Sequence, residues 1–211
     1  MKIAIFGASG ATGLLLTQRC LNAGHFVTAL LRHPDSFPLR NSVQVVHGSA
    51  FEPADVLQTV AGADAVLSAL GARSLGKEEV LERAVPVIVR AMQQENVRRI
   101  IVLGSAGAKT DALYRQPVLR WIVENLVYTT IMKWPVASQR SQYKTLKESD
   151  LDWTMVMPPF LTNGRGRGRW RIDTDALPRN ATRIAREDVA IFMMQQLDNP
   201  HWIKKAVYIT W

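Results

Sequence analysis

The chain has few residues that could hold a metal or form a cross-link. Its 211 residues include one cysteine, Cys20, and four histidines scattered without ligand spacing. One thiol cannot form an internal disulfide, and this set does not predict a metal site. No uncharged apolar run reaches the roughly 18 residues of a membrane span. The opening MKIAIFGASGATG is too glycine-rich for a secretory signal, so we expect structure from residue 2 and a cytoplasmic location.

Acidic residues are also scarce relative to basic ones, and the formal net charge is +8. A positive field favours polyanionic partners, which include nucleic acids, anionic membranes and phosphorylated cofactors. The densest basic run, residues 165–171, could be an arginine–glycine hook for a DNA minor groove or a loop that attracts an anionic small molecule. Because no known nucleic-acid module accompanies it, we expect a small-molecule partner and no nucleic-acid partner. We also expect a monomer or a weak homodimer.

Short apolar runs alternate with segments of helical periodicity along the whole chain. Because the runs are apolar throughout, they predict strands covered on both faces, and the alternation predicts right-handed crossovers. We therefore predict an α/β fold with a single doubly wound parallel sheet in one domain, residues 1–211. The predicted strands are 2–6, 26–31, 43–47, 65–69, 99–103, 153–157 and 206–209, and the predicted helices are 11–23, 53–60, 77–95, 140–149 and 186–197. Glu187 and Asp188 should cap the last helix.

The glycine-rich turn Gly7-Ala-Ser-Gly10-Ala-Thr-Gly13 lies between the first predicted strand and the first predicted helix. Glycine permits a tight turn, lets the backbone approach a pyrophosphate, and lets the helix pack close to the strand. The helix N-terminus then offers N–H groups and a partial positive charge to the phosphates. In this context the turn predicts a dinucleotide site.

Arg32 follows the second predicted strand, where NAD-binding sites usually place an acidic residue against the ribose 2′-hydroxyl. A guanidinium can bind a 2′-phosphate with two parallel hydrogen bonds. The alternative is a surface arginine at a strand end. The sequence therefore favours NADP(H) as the cofactor.

Tyr143 and Lys147 have the Tyr-x-x-x-Lys spacing of classical short-chain dehydrogenases. Residues four apart share one face of a helix, so the ammonium could lower the pKa of the phenol and let it protonate a carbonyl. Ser105, after the fifth strand, could orient that carbonyl. In this interpretation the catalytic residues are Ser105, Tyr143 and Lys147. The spacing can also arise by chance, and reduction of a flavin or quinone needs hydride delivery more than a protein acid.

Several stretches together resemble the atypical short-chain dehydrogenase/reductase family, in particular its biliverdin-IXβ and flavin reductase members. They are the glycine turn with Arg32, Thr59–Val66, the run 104–107, Lys147-Glu-Ser149 and the stretch 151–159 that ends in Pro158-Pro159. NmrA-like members of the family, some of which sense the cofactor without turnover, share the first motif. The similarity covers most of residues 1–160 and implies a Rossmann-like fold with helices on both faces.

The resemblance also implies where the cofactor lies. The diphosphate would contact Gly7, Ser9, Gly10, Ala11, Thr12 and Gly13. The nicotinamide would lie along the residues after strands 4 and 5, including Ala69, Leu70, Gly71 and Gly104, and against Pro158, Pro159 and Phe160. The substrate pocket would be built from segments 105–140 and 158–185.

Two positions depart from the family pattern. The family usually has Gly-Asp near the adenine where this chain has Gly48-Ser49, and the mammalian reductase has a histidine where this chain has Phe160. Chemistry that depends on that imidazole is therefore not expected. We predict an NADPH-dependent reductase that transfers hydride to a planar conjugated acceptor such as a flavin, quinone or bilin. The alternatives are an NADP(H) sensor without turnover and a tyrosine-dependent carbonyl reductase.

Overall fold

The computed structural model describes residues 1–72, 74–108, 126–127 and 129–211. Its strands are β1 (Lys2–Phe6), β2 (Phe26–Leu31), β3 (Gln44–His47), β4 (Ala65–Ser68), β5 (Arg99–Leu103), β6 (Asp152–Met157), β7 (Phe160–Thr162), β8 (Arg171–Asp173), β9 (Arg183–Ala185) and β10 (Lys205–Thr210). Its longer helices are α1 (Ala11–Asn22), α2 (Pro53–Val60), α3 (Val80–Gln94), α4 (Lys133–Glu148) and α5 (Arg186–Gln195).

The central sheet has the strand order β3-β2-β1-β4-β5-β6-β10-β8. Neighbouring strands are parallel except for β8, which runs antiparallel to β10 at one edge. The chain leaves β1 toward β2 and β3 and then returns to place β4 on the other side of β1. In an open α/β sheet, ligands bind beyond the carboxyl ends of the strands at such a reversal. The topology therefore places a binding crevice above β1 and β4.

Apolar side chains cover both faces of the sheet, as the uninterrupted apolar strands predict. On β1, Ala4 and Phe6 belong to the core beneath α2, α3 and α4. Ile3 and Ile5 point to the opposite core, beneath α1 and α5. The predicted Rossmann-like fold, with helices on both faces of one sheet, is confirmed.

The structure differs from the prediction mainly in two places. The helix expected over 140–149 begins at Lys133, with Pro135 in its first turn, where a proline costs no helical hydrogen bond. Strands β7, β8 and β9 were not predicted, because three residues are too short to show a period. Residues 109–125 and 128, part of the segment 105–140 that is expected to build the substrate pocket, lie outside the described residues. In the described part of the chain, no helix is long and apolar enough to cross a membrane.

Candidate dinucleotide and acceptor site

A cavity of about 850 Å³ opens beyond the carboxyl ends of β1 to β5. Each of these strands is followed by a residue that lines the cavity: Gly7, Arg32, Gly48, Ala69 and Gly104. The cavity thus lies at the reversal of strand order, where the fold predicts it. It is large for a small-molecule site, since such sites span about 300–1,000 Å³.

The glycine turn forms one wall of the cavity and has almost no spare space. Gly7 has a φ of +77°, and a Cβ there would lie 2.8 Å from the carbonyl of Ala69. A Cβ on Gly13 would lie 2.0 Å from the oxygen of Gly7. The turn is closed by the Gly10 N–H, which donates to Gly7 O over 3.0 Å. Backbone therefore forms this wall where a side chain could not fit, as a diphosphate-binding turn requires.

The N-terminus of α1 forms part of the same wall. Gly10 is its N-cap, no side chain caps the helix, and its first turn carries no acidic residue. Ser9, Gly10, Ala11 and Thr12 line the cavity, whereas Gly13 lies beneath the turn and does not. The four residues that line the cavity are placed to contact a diphosphate, because their N–H groups and the helix dipole favour an anion. Gly13 instead permits the close packing of α1 on the turn.

Arg32 lies at the far end of this wall, after β2, and lines the cavity with an exposed side chain. Among the described residues it forms no salt bridge, so its charge is not neutralised by a neighbouring carboxylate. A guanidinium without an acidic partner at this position can donate hydrogen bonds to a phosphate. The residues therefore fit a dinucleotide that carries a 2′-phosphate.

Ser49 lines the cavity beyond β3, beside Arg32. Its N–H donates to Asp55 Oδ2 over 2.9 Å, and its hydroxyl oxygen accepts the N–H of Phe51 over 3.2 Å. A Cβ on Gly48 would lie 2.2 Å from the same Asp55 oxygen. Asp55, in the first turn of α2, thus fixes the loop that would face the adenine.

The opposite half of the cavity is bordered by Ala69, Leu70, Gly71, Gly104 and Ser105 after β4 and β5. A Cβ on Gly104 would meet Met155 Cε at 2.6 Å, so the Met155 side chain would have to shift for any larger residue here. The Ser105 oxygen accepts the Gly107 N–H over 3.4 Å, which leaves its own hydroxyl proton available. Ser105 is the one predicted catalytic residue that faces the cavity.

Tyr143 and Lys147 do meet on α4, but outside the cavity. Lys147 Nζ lies 5.6 Å from the centre of the Tyr143 ring, and that ring packs edge-on against Trp153 at 5.9 Å. Neither residue lines the cavity. The cavity face of α4 lies one turn earlier, at Pro135 and Gln139. This geometry does not support Tyr143 as a proton donor to a bound acceptor, because its ring packs against Trp153 and the residue does not line the cavity.

Pro158, Pro159 and Phe160 also lie outside the cavity lining. Pro158 is buried, and its carbonyl accepts the Ala106 N–H over 3.0 Å, which ties the end of β6 to the turn after Ser105. Phe160 is 67% exposed. In this part of the chain the cavity is lined instead by Leu161 of β7 and Arg186 of α5. The proline pair supports the site rather than bordering it.

Gln139 and Arg186 are cavity residues that the sequence did not reveal. Gln139 lies in the two turns of α4 that precede the predicted helix start, so periodicity could not place it. Arg186 Nη1 donates to Asn163 Oδ1 over 2.6 Å, a contact made across sequence-distant segments. For both residues the only available sign was a polar side chain near a predicted strand end or helix start.

The arginine-rich stretch after β7 is a loop held by two carboxylates of α5. Glu187 accepts the Gly166 N–H over 2.7 Å, and Asp188 accepts those of Arg167 and Gly168 over 2.9 and 3.0 Å. Asp188 is fully buried and also accepts Trp211 Nε1 over 2.6 Å. Both acids lie in the first turn of α5, as predicted, but their hydrogen bonds go to a loop that is distant in the sequence.

Among the described residues, no cluster of histidine, cysteine and acidic side chains could hold a metal ion.

Comparison with known proteins agrees with this fold. The Bacillus subtilis protein YwnB, described as uncharacterized, is 28% identical over 95% of this chain and 93% of its own length. A short-chain dehydrogenase/reductase from Veillonella parvula, solved in complex with NADP, covers 100% of this chain and 94% of its own at 22% identity, with a TM-score of 0.82.

ChuY, an anaerobillin reductase from Escherichia coli O157:H7, covers 100% of this chain and 97% of its own at 19% identity, with a TM-score of 0.80. At these identities the two solved structures establish the shared fold. The family model described as NAD(P)H-binding matches residues 7–200, from the first glycine of the turn to the last loop. The chain therefore belongs to the NAD(P)H-binding family.

Proposed function

We propose that the protein is an NADPH-dependent reductase that delivers hydride to a planar conjugated acceptor, such as a flavin, quinone or bilin-like molecule. The observation that carries this proposal is the continuity of the cavity. It runs from Arg32, through the glycine turn, to Ser105 and Gln139 on the other side of the strand reversal. One end fits a phosphorylated dinucleotide, and the other end is lined by different residues that could bind a second ligand.

The two ends differ in chemistry. The diphosphate end is formed by backbone and by Arg32, which suits an anion. The other end is bordered by apolar side chains: Leu75, Leu81, Met132, Pro135, Val136 and Leu161. Such walls suit a flat conjugated ring system, and the few polar groups among them can set its orientation.

When bound, the reduced dinucleotide supplies the hydride. The residues of this chain contribute binding and alignment, and a well-aligned pair of reactants accounts for a large part of a rate enhancement. Ser105 offers a hydroxyl proton to an acceptor oxygen, while the apolar walls exclude water. The position of Tyr143 outside the cavity lining favours this arrangement over a tyrosine-dependent carbonyl reductase.

Names of structural neighbours support the reductase interpretation, since one is an NADP complex of a short-chain dehydrogenase/reductase and another is an anaerobillin reductase. A single buried, unreactive thiol also suits the reducing conditions of the cytosol, where we propose the protein acts on a small molecule.

The test is to incubate the protein with NADPH and, separately, with flavin mononucleotide, a naphthoquinone and an aliphatic aldehyde, and to follow the loss of NADPH absorbance. We expect turnover with the flavin or the quinone and little with the aldehyde. Saturable NADPH binding without oxidation by any acceptor would favour the cofactor sensor. Aldehyde reduction that disappears in Tyr143→Phe would favour the carbonyl reductase.

A further inference from the structure

A pair of glutamines on α4 fixes a hydrogen-bond donor in the acceptor half of the cavity. Gln142 is fully buried, and its Nε2 donates to Leu103 O and to Gln139 Oε1, each over 3.1 Å. Gln139 itself lines the cavity, as does Ser105, two residues after Leu103. The two amides therefore connect the end of β5 to the cavity wall.

The orientation of both amides follows from their partners. A backbone carbonyl can only accept hydrogen bonds, so the nitrogen of Gln142, and not its oxygen, must face Leu103 O. The same nitrogen then faces the oxygen of Gln139. Within the described residues the Gln139 amide makes no other hydrogen bond, so its NH₂ group remains for the cavity.

This orientation leaves the side-chain oxygen of Gln142 without a hydrogen-bond partner. Gln142 Oε1 is buried and, in the described structure, has no hydrogen-bond partner. A buried acceptor without a partner is costly, so the contacts of Gln142 Nε2 must offset that cost. Gln142, which carries the unsatisfied oxygen, is thus the residue whose Nε2 holds the amide of Gln139 in place.

We infer that Gln139 donates a hydrogen bond, together with Ser105, to an oxygen of the hydride acceptor, and that Gln142 is the residue that positions it. This inference rests on the proposed reductase function. It specifies the acceptor class: a conjugated molecule with a carbonyl oxygen in conjugation with the atom that receives hydride. An acceptor without such an oxygen would leave both donors unpaired.

The electron balance shows why the donors matter. One hydrogen with its electron pair leaves the reduced dinucleotide and forms a new bond to the acceptor. A π electron pair of the acceptor moves to the carbonyl oxygen, which becomes negatively charged and takes a proton from solvent when the product is released. The dinucleotide is oxidised and the acceptor is reduced by two electrons. Fixed donors stabilise the charge on that oxygen as it develops.

The experiment compares Gln139→Leu, Gln139→Glu and the matched surface variant Gln94→Glu, which lies exposed on α3. For each protein we would measure the dissociation constant of NADPH and kcat/KM for a naphthoquinone. We expect unchanged NADPH affinity in all three, a drop in kcat/KM of about 100-fold in Gln139→Leu, and no change in Gln94→Glu.

Gln139→Glu supplies a pH signature that a structural defect would not give. Its carboxylate repels the developing charge at neutral pH, but the protonated acid can donate again. The ratio of its kcat/KM to that of wild type should therefore rise as pH falls toward about 4–5. Using a ratio cancels the influence of the charged neighbours that both proteins share, namely Glu78, Arg32 and Arg186 in the cavity and Glu82, which accepts the Ser138 hydroxyl.

Gln142→Met tests the positioning role. If Gln142 acts through Gln139, the double variant Gln139→Leu/Gln142→Met should be no slower than Gln139→Leu alone, whereas an independent role would multiply the two losses. Full activity in Gln139→Leu, or a pH-independent loss in Gln139→Glu, would overturn the inference and leave the reductase proposal standing. Absence of turnover in the wild-type protein with every acceptor would overturn both.

Discussion

Gly13 lies directly against the carbonyl of Gly7, so closely that a methyl carbon on Gly13 would be 2.0 Å from Gly7 O and 2.8 Å from Gly7 C. This contact sets the distance between α1 and the turn after β1. It therefore determines where the first N–H groups of the helix point. The diphosphate end of the cavity depends on this one backbone contact.

Gly13→Ala should accordingly lower NADPH affinity by at least an order of magnitude and destabilise the fold by about 1–3 kcal/mol, because the obstructing atoms are backbone. Isothermal titration and urea unfolding would measure the two effects. Gly164→Ala is the matched control, since a Cβ there meets nothing within 4 Å. Unchanged NADPH affinity in Gly13→Ala would contradict the assignment of the turn.

Arg32→Glu should weaken NADPH binding by about 10–100-fold and affect NADH much less. The substitution removes a charge-assisted hydrogen bond to the 2′-phosphate and supplies an acceptor for a ribose hydroxyl. Dissociation constants for both dinucleotides would be measured at two salt concentrations. Arg90→Glu, an exposed charge reversal on α3, controls for net charge. An equal loss of affinity for both dinucleotides would show that Arg32 does not bind the 2′-phosphate.

Asp188→Ala should destabilise the protein by about 3–5 kcal/mol and release the arginine-rich loop. The buried carboxylate accepts the N–H groups of Arg167 and Gly168 and the indole N–H of Trp211, and all three would lose their partner. Trypsin should then cleave after the loop arginines while the rest of the chain stays folded. Asp198→Ala, at an exposed position, should leave both the melting temperature and the cleavage pattern unchanged.

Burial in the core beneath α1 raises the pKa of the Cys20 thiol from its ordinary value of 9.0 to about 12. Above pH 9 the unfolded chain loses this proton while the folded chain keeps it. The unfolded state then binds fewer protons, so the free energy of unfolding should fall as pH rises from 9 toward 12, by at most about 1.4 kcal/mol per pH unit. Stability below pH 9 should not depend on this group.

Denaturant unfolding of wild type and Cys20→Ala across that range would measure the difference. The difference in the free energy of unfolding between the two proteins should shrink as pH rises, because only the wild-type protein carries the buried thiol. Parallel curves for the two proteins would contradict the burial argument. In the native state, a thiol reagent at pH 8 should leave Cys20 unmodified.

The fold and the diphosphate end were largely predictable from the sequence, and the acceptor end was not. Apolar strands and a glycine turn are local features, so β1, β2, β5 and α2 have the predicted bounds. Gln139 became a cavity residue because α4 begins earlier than its periodicity suggests and because a buried neighbour orients its amide. Such a contact between a helix and a strand end leaves no local pattern.

The same reason applies to Tyr143, Lys147 and Asp188. The spacing of Tyr143 and Lys147 predicts that they share a helix face, and they do, but spacing does not tell which face meets the cavity. Asp188 sits where a helix-capping acid is common, yet tertiary structure gives it a loop and the C-terminal Trp211 as partners. In each case the local prediction held and the partner came from elsewhere in the chain.

We propose that one cavity binds a phosphorylated dinucleotide and an acceptor close enough together for hydride transfer. Stopped-flow mixing of the NADPH complex with a naphthoquinone, monitored by NADPH absorbance, tests it most directly. We expect saturable NADPH binding followed by stoichiometric oxidation whose rate depends on quinone concentration and falls in Gln139→Leu. Failure of NADPH to bind at millimolar concentration would contradict it.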